Sequence, residues 1–183
     1  MERQLAPEWE TSTWLNTSSS LALEELRGRV ILLHAFQMLC PGCVSRAIPQ
    51  AQRAVELFEN EPLTVVGLHT VFEHHDAMQE LSLRAFLHEY RVRYPVGIDK
   101  PGQHGEPIPR TMHAYRMRGT PTTILIDSQG YIRQSVFGAY DDLRLGADIG
   151  ALLAEVRGTG VRNEGPDDST RGTERVAGQC SVS

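Results

Sequence analysis

At 183 residues the chain has the length of one ordinary domain with a sizeable core. Hydrophobic residues make up 40% and charged residues 22%, which excludes a disordered or fibrous chain. A net charge of −5 speaks against nucleic acid as a partner, and three cysteines are too few for a disulfide-stapled secreted fold. No run of about 18 apolar residues exists to span a membrane. Residues Met1 to Glu8 lack the basic-then-apolar build of a signal peptide. The expectation is a soluble, cytoplasmic protein.

Residues 1–29 read as a polar N-terminal extension with a weak edge strand or hairpin. Val30–Phe36 is short and nearly all apolar, as a strand buried on both faces would be. Residues 41–59 follow with helical spacing, placing Val44, Ala47, Ile48, Ala51, Ala54, Val55 and Phe58 on one stripe. Pro49 inside that stripe is expected to kink the helix. Leu63–His69 reads as a second buried strand. Residues 76–91 read as a helix with Leu81, Ala85, Leu87 and His88 inward. Tyr94–Asp99 is a short strand, 101–109 a loop, and 110–117 a further helix. Residues 122–127 and 131–137 make a hairpin about Ser128-Gln129-Gly130, and 141–157 a closing helix. Apolar content collapses from Gly158, so 158–183 reads as a flexible tail. The domain is thus expected over 30–157, as an α/β sandwich with a mixed sheet covered by helices.

The chemistry concentrates in Cys40-Pro41-Gly42-Cys43, between a buried strand and the start of a helix. Two thiols at this spacing can close a small disulfide ring. The unpaired amides of a helix N-terminus favour a thiolate, so Cys40 is the natural attacking sulfur. Cys43, one turn on and deeper, would resolve the mixed disulfide. Pro41 on the first turn gives up no needed hydrogen bond. Two other readings are zinc, which lacks a second ligand pair because Cys180 stands alone, and a pair of inert buried thiols. A second feature is Gly119-Thr120-Pro121 just before a strand, a plausible site for a cis peptide bond.

Strand, CxxC on a helix, and a distant Gly-Thr-Pro-Thr leading strand, turn, strand and helix resembles the thioredoxin-like superfamily. Residues 30–157 most resemble its redoxin branch, the TlpA-like thiol–disulfide reductases and the alkyl-hydroperoxide-reductase/thiol-specific-antioxidant group. The resemblance implies a three-layer α/β sandwich with helices on both faces of a mixed sheet. It also implies Cys40 as nucleophile and Cys43 as resolving cysteine, with Pro41 and Gly42 between them. Thr120-Pro121 would be the cis-proline loop that offers backbone hydrogen bonds to a thiol partner. Pro49 resembles the family's helix-kink proline, one residue late. Leu39 stands where a Trp often precedes the first cysteine. The Glu that TlpA-like reductases carry after the second is absent, with Arg46 nearest.

Peroxiredoxins carry Thr-x-x-Cys where this chain has Cys-x-x-Cys. On that alignment Cys43 would attack peroxide, with Arg46, Arg116 or Arg118 supplying charge. The missing threonine favours thiol–disulfide oxidoreduction. The expected partners are protein or small-molecule disulfides and thiols and an upstream thiol reductant, with no cofactor and no metal. His34 is either a core histidine or a proton acceptor for Cys43. His69, Glu73, His74, His75 and Asp76 are either a solvated loop with His69 partly packed or a set of metal ligands. Sco-like copper proteins, which share the fold, use a spacing one residue longer. Cys180 is an idle tail thiol or a third redox cysteine, and its match to a prenylation signal lacks an aliphatic Ser181 position.

Overall fold

The computed structural model describes residues 4–160. Six strands form one mixed sheet: β1 (Thr11–Leu15), β2 (Val30–Phe36), β3 (Leu63–His69), β4 (Val96–Asp99), β5 (Thr122–Ile126) and β6 (Ile132–Phe137). Their spatial order is β1-β4-β3-β2-β5-β6. The three parallel strands β2, β3 and β4 are flanked by antiparallel β1 on one side and the β5–β6 hairpin on the other. Of the N-terminal extension, β1 takes the sheet edge, and Leu5 makes an isolated bridge to Tyr131.

The apolar run in β2 is explained by its place. Val30, Leu32 and Phe36 face a core built with α1 (Ile48–Leu57), α2 (Glu80–Glu89) and α4 (Asp142–Gly160). Ile31, Leu33 and Ala35 face a second core with α3 (Arg110–Ala114), Leu23 and Trp9. Alternate residues serve opposite layers, so none can be polar without a partner. Leu32→Ala should therefore cost about 2–5 kcal/mol. The urea midpoint reads that cost, and Leu81→Ala should leave the midpoint nearly unmoved.

Leu81 marks one correction. It is 81% exposed, and the buried stripe of α2 is Leu83 and Leu87. The segment before α2 is a separate 3-10 turn, His75–Ala77, so the helical phase starts at Glu80 rather than 76. Val55 is likewise more than a third exposed. α3 stops at Ala114, where Tyr115 and the left-handed Arg116 end it. α4 continues through 158–160, past the expected tail boundary. Residues 161–183, with Cys180, lie outside the described residues. Pro49 does not break its helix. A wide π turn, Cys43–Ala47, precedes it and α1 begins at Ile48. A proline lacks an N–H and would collide with the carbonyl four residues back, and the widened turn removes that collision.

Candidate active site

β2 ends at Phe36, and the chain turns so that the Cys40 N–H reaches the Gln37 carbonyl at 3.2 Å. The helix then starts. Cys43 and Val44 both donate to the Cys40 carbonyl at 3.1 Å, and the Cys43 N–H also faces the Cys40 sulfur at 3.3 Å. Cys40 thus occupies the N-cap, its sulfur accepting from the third helical amide as a serine oxygen would.

The two thiols have different surroundings. Cys40 is half-buried, and it opens into a cleft of about 450 Å³ that Leu39, Phe72, His74, Thr120 and Phe137 help to line. Leu39 is 57% exposed and Phe137 48%, so two bare apolar side chains line the cleft that the sulfur opens into. Cys43 has no exposed surface. Burial, then the neighbouring Cys40 sulfur, push its thiol up to about 12; the Gln37 N–H and the Thr120 hydroxyl act the other way.

The Thr120-Pro121 peptide bond is cis. The loop is tied at both ends: the Thr122 hydroxyl donates to the Gly119 carbonyl at 2.7 Å, and the Gly138 N–H to the Pro121 carbonyl at 2.8 Å. This leaves the Thr120 carbonyl to the Cys40 thiol, which donates to it across 3.6 Å. Pro121 lies over the turn between the cysteines, where a Cβ on Gly42 would stand 3.4 Å from its Cδ. Pro41 is exposed at the first helical position, and its carbonyl accepts from the Ser45 hydroxyl at 2.7 Å. Cys40, Pro41, Gly42, Cys43, Thr120 and Pro121 are therefore brought together from two segments some 80 residues apart.

Arg46 is exposed and borders a small apolar groove on the far side of Pro121. His34 is fully buried. Its Nε2 shares a 2.7 Å hydrogen bond with the Tyr94 hydroxyl, its Nδ1 has no partner, and neither nitrogen bonds a cysteine. Burial drives its pKa down to about 3. As a proton acceptor for Cys43 it is thus badly matched, and its bonds are those of a core residue.

The histidine cluster divides. His69 is buried against Phe36 with its pKa lowered by burial to about 4, whereas His74 and His75 are exposed. Among the described residues no three His, Cys, Asp or Glu side chains are grouped to hold a metal ion. Arg118 lies over the Phe137 ring at 5.4 Å, at the cleft wall, and Arg116 is exposed at the end of α3.

Gln37 is absent from the expected set, and Glu73 enters it only within the histidine cluster. Gln37 is buried, donates to Glu73 at 3.3 Å and to Thr120 Oγ1 at 3.5 Å, and accepts from the Phe72 N–H at 3.4 Å. Its one trace in the sequence is an amide directly after seven strand residues that are otherwise apolar or buried.

A model of the AhpC/TSA family matches residues 3–135. A solved thioredoxin-like superfamily protein is 53% identical, with 82% of this chain and 96% of that one covered and a TM-score of 0.79. A solved thiol-disulfide isomerase from Corynebacterium glutamicum is 44% identical, covering 81% of this chain and 97% of its own, with a TM-score of 0.77. The thiol-disulfide oxidoreductase ResA of Halalkalibacterium halodurans is 27% identical over 113 residues, 62% of this chain. That match spans 56% of ResA, so the chain covers little more than half of this curated relative. The family match takes in the CxxC turn, the cis-proline loop and five of the six strands whole, and the chain belongs to the AhpC/TSA family within the thioredoxin-like superfamily.

Proposed function

We propose that the chain is a thiol–disulfide oxidoreductase in which Cys40 attacks and Cys43 resolves. The observation that carries this reading is the asymmetry of the pair: a half-exposed sulfur at a helix N-cap, and a buried one a single turn on. The Cys40 thiolate attacks a partner disulfide, forming a mixed disulfide and releasing one partner thiolate, which takes a proton from water. Cys43 then gives its proton to solvent and attacks the Cys40 sulfur. The intramolecular disulfide forms, the second partner thiolate leaves, and two electrons have passed to the partner. An upstream thiol reductant reverses the change.

The cleft supports protein disulfides as substrates. Its bare Leu39 and Phe137 suit apolar residues beside a partner cysteine, and Thr120 lines the same cleft. A cytoplasmic setting belongs to the same reading, supported by the low cysteine count. So does an antioxidant role, in the sense of keeping client thiols reduced. Addition of the protein to a protein disulfide with dithiothreitol should accelerate reduction well above the uncatalysed rate. No acceleration contradicts the reading.

The peroxidase alternative requires Cys43 to meet peroxide. Its lack of exposed surface and its raised thiol pKa speak against that. Hydrogen peroxide should accordingly be consumed no faster than by an ordinary free thiol. Loss of peroxide at enzyme-like rates, dependent on Cys43, would restore the alternative.

A further inference from the structure

The cleft beside Cys40 has an apolar lining of Leu39, Phe72, Met78 and Phe137, and among the described residues Glu73 is the only carboxylate on it. That carboxylate is held. Gln37, itself buried, donates from Nε2 to Glu73 Oε1 at 3.3 Å. The orientation of the amide is dictated from both sides. A backbone N–H can only donate and an ionised carboxylate can only accept, so Gln37 Oε1 must face the Phe72 N–H, at 3.4 Å, and Nε2 must face Glu73. The charge itself is left unneutralised, because among the described residues Glu73 enters no ion pair. Two cations of the neighbourhood are placed elsewhere. Arg118 lies over the Phe137 ring at 5.4 Å, and Arg46 borders the separate groove past Pro121.

We propose that Glu73 is a specificity-determining residue: it favours disulfides in which a lysine or arginine flanks the reacting cysteine and disfavours those with acidic flanks. The proposal rests on the reading of Cys40 as the attacking sulfur and deepens it to a substrate class. A cation entering the cleft meets a carboxylate that Gln37 has already ordered, so less side-chain freedom is lost on pairing. The apolar lining lowers the local dielectric, which strengthens the attraction. An acidic flank meets the same charge as repulsion. Glutathione disulfide, whose halves each carry more carboxylates than ammonium groups, belongs to the disfavoured class.

The test uses the full reduced chain carrying Cys180→Ser, with three peptide disulfides that place Lys, Gln or Glu on both sides of the cysteine. Each rate of peptide-thiol release is divided by that peptide's rate with dithiothreitol, which removes the peptide's own reactivity. Salt is held at about 0.1 M, where the Debye length of about 10 Å screens remote charges. The Lys peptide should then react about tenfold faster than the Glu peptide. Glu73→Gln keeps an oxygen for the Gln37 amide but removes the charge, and it should lower the Lys-to-Glu ratio about fivefold. Both peptides meet the same Cys40, so any effect of Glu73 on that thiol cancels in the ratio. Glu59→Gln, exposed beyond the end of α1, changes the net charge equally and should leave the ratio unmoved. A ratio unchanged in Glu73→Gln, or lowered as much by Glu59→Gln, overturns the proposal. If Glu73→Gln does not fold, Glu73→Lys carries the test and should reverse the preference, and a preference that stays with the Lys peptide overturns the proposal. No release from any of the three peptides, or release that survives Cys40→Ser, instead overturns the assignment of Cys40 as the attacking sulfur.

Discussion

Cys43→Ser is expected to accumulate a covalent complex with a client disulfide, whereas Cys40→Ser should form none and lose disulfide reduction by roughly 10³-fold or more. The difference follows from burial. With Cys40 gone, the remaining thiol has no exposed surface from which to reach a partner. With Cys43 gone, Cys40 still opens into its cleft and attacks, but nothing inside the domain can displace the partner. With Cys180 also changed to Ser, the mixed disulfide then persists until an external thiol arrives. Non-reducing electrophoresis reads the complex directly, and dithiothreitol should collapse it. A complex in Cys40→Ser but not in Cys43→Ser would exchange the two roles and bring peroxide chemistry forward.

Stability should fall by about 4 kcal/mol between about pH 7.5 and about pH 5, through two buried histidines. His34 and His69 bind protons in the fold only at about 3 and about 4, against 6.5 in the unfolded chain. Because the folded values are the lower ones, the unfolded state takes up protons first as pH drops below 6.5. Each histidine then withdraws about 1.4 kcal/mol per pH unit, or about 2 kcal/mol by about pH 5. Asp99 works in the opposite sense, since burial holds its carboxyl above the usual range. His34→Gln isolates one contribution, because an amide keeps the bond to Tyr94 without titrating. Urea midpoints at the two pH values should show the loss roughly halved in that variant. Equal stability at both pH values, or the full loss in His34→Gln, would contradict this account.

Much of the fold is legible along the chain because burial on both faces leaves a plain mark. Val30–Phe36 and Leu63–His69 are short apolar runs, and both are inner strands of the sheet. The stripe Leu145, Ile149, Leu152 and Leu153 is the buried face of α4. Phase is less legible. Leu81 fits a helix begun at 76, but the break after Ala77 resets the register, and no local residue announces it. The π turn before Pro49 is a backbone solution that spacing cannot specify.

The site divides in the same way. Cys40, Cys43 and the Thr120-Pro121 loop are short motifs, each readable by itself. What links them is not. Gln37 looks like the first residue of a loop until the fold sets Phe72, Glu73 and Thr120 around it, at sequence separations of 35, 36 and 83. His34 is legible as a histidine on a core strand, but its partner Tyr94 lies 60 residues on and turns it from the cysteines toward the core.

The central claim is that Cys40 is the exposed, attacking sulfur and Cys43 the sheltered one. Brief alkylation of the reduced native protein, followed by peptide-resolved mass spectrometry, tests it most directly. Label is expected on Cys40 well before Cys43, with Cys43 modified only after unfolding. Label on Cys43 first would contradict it.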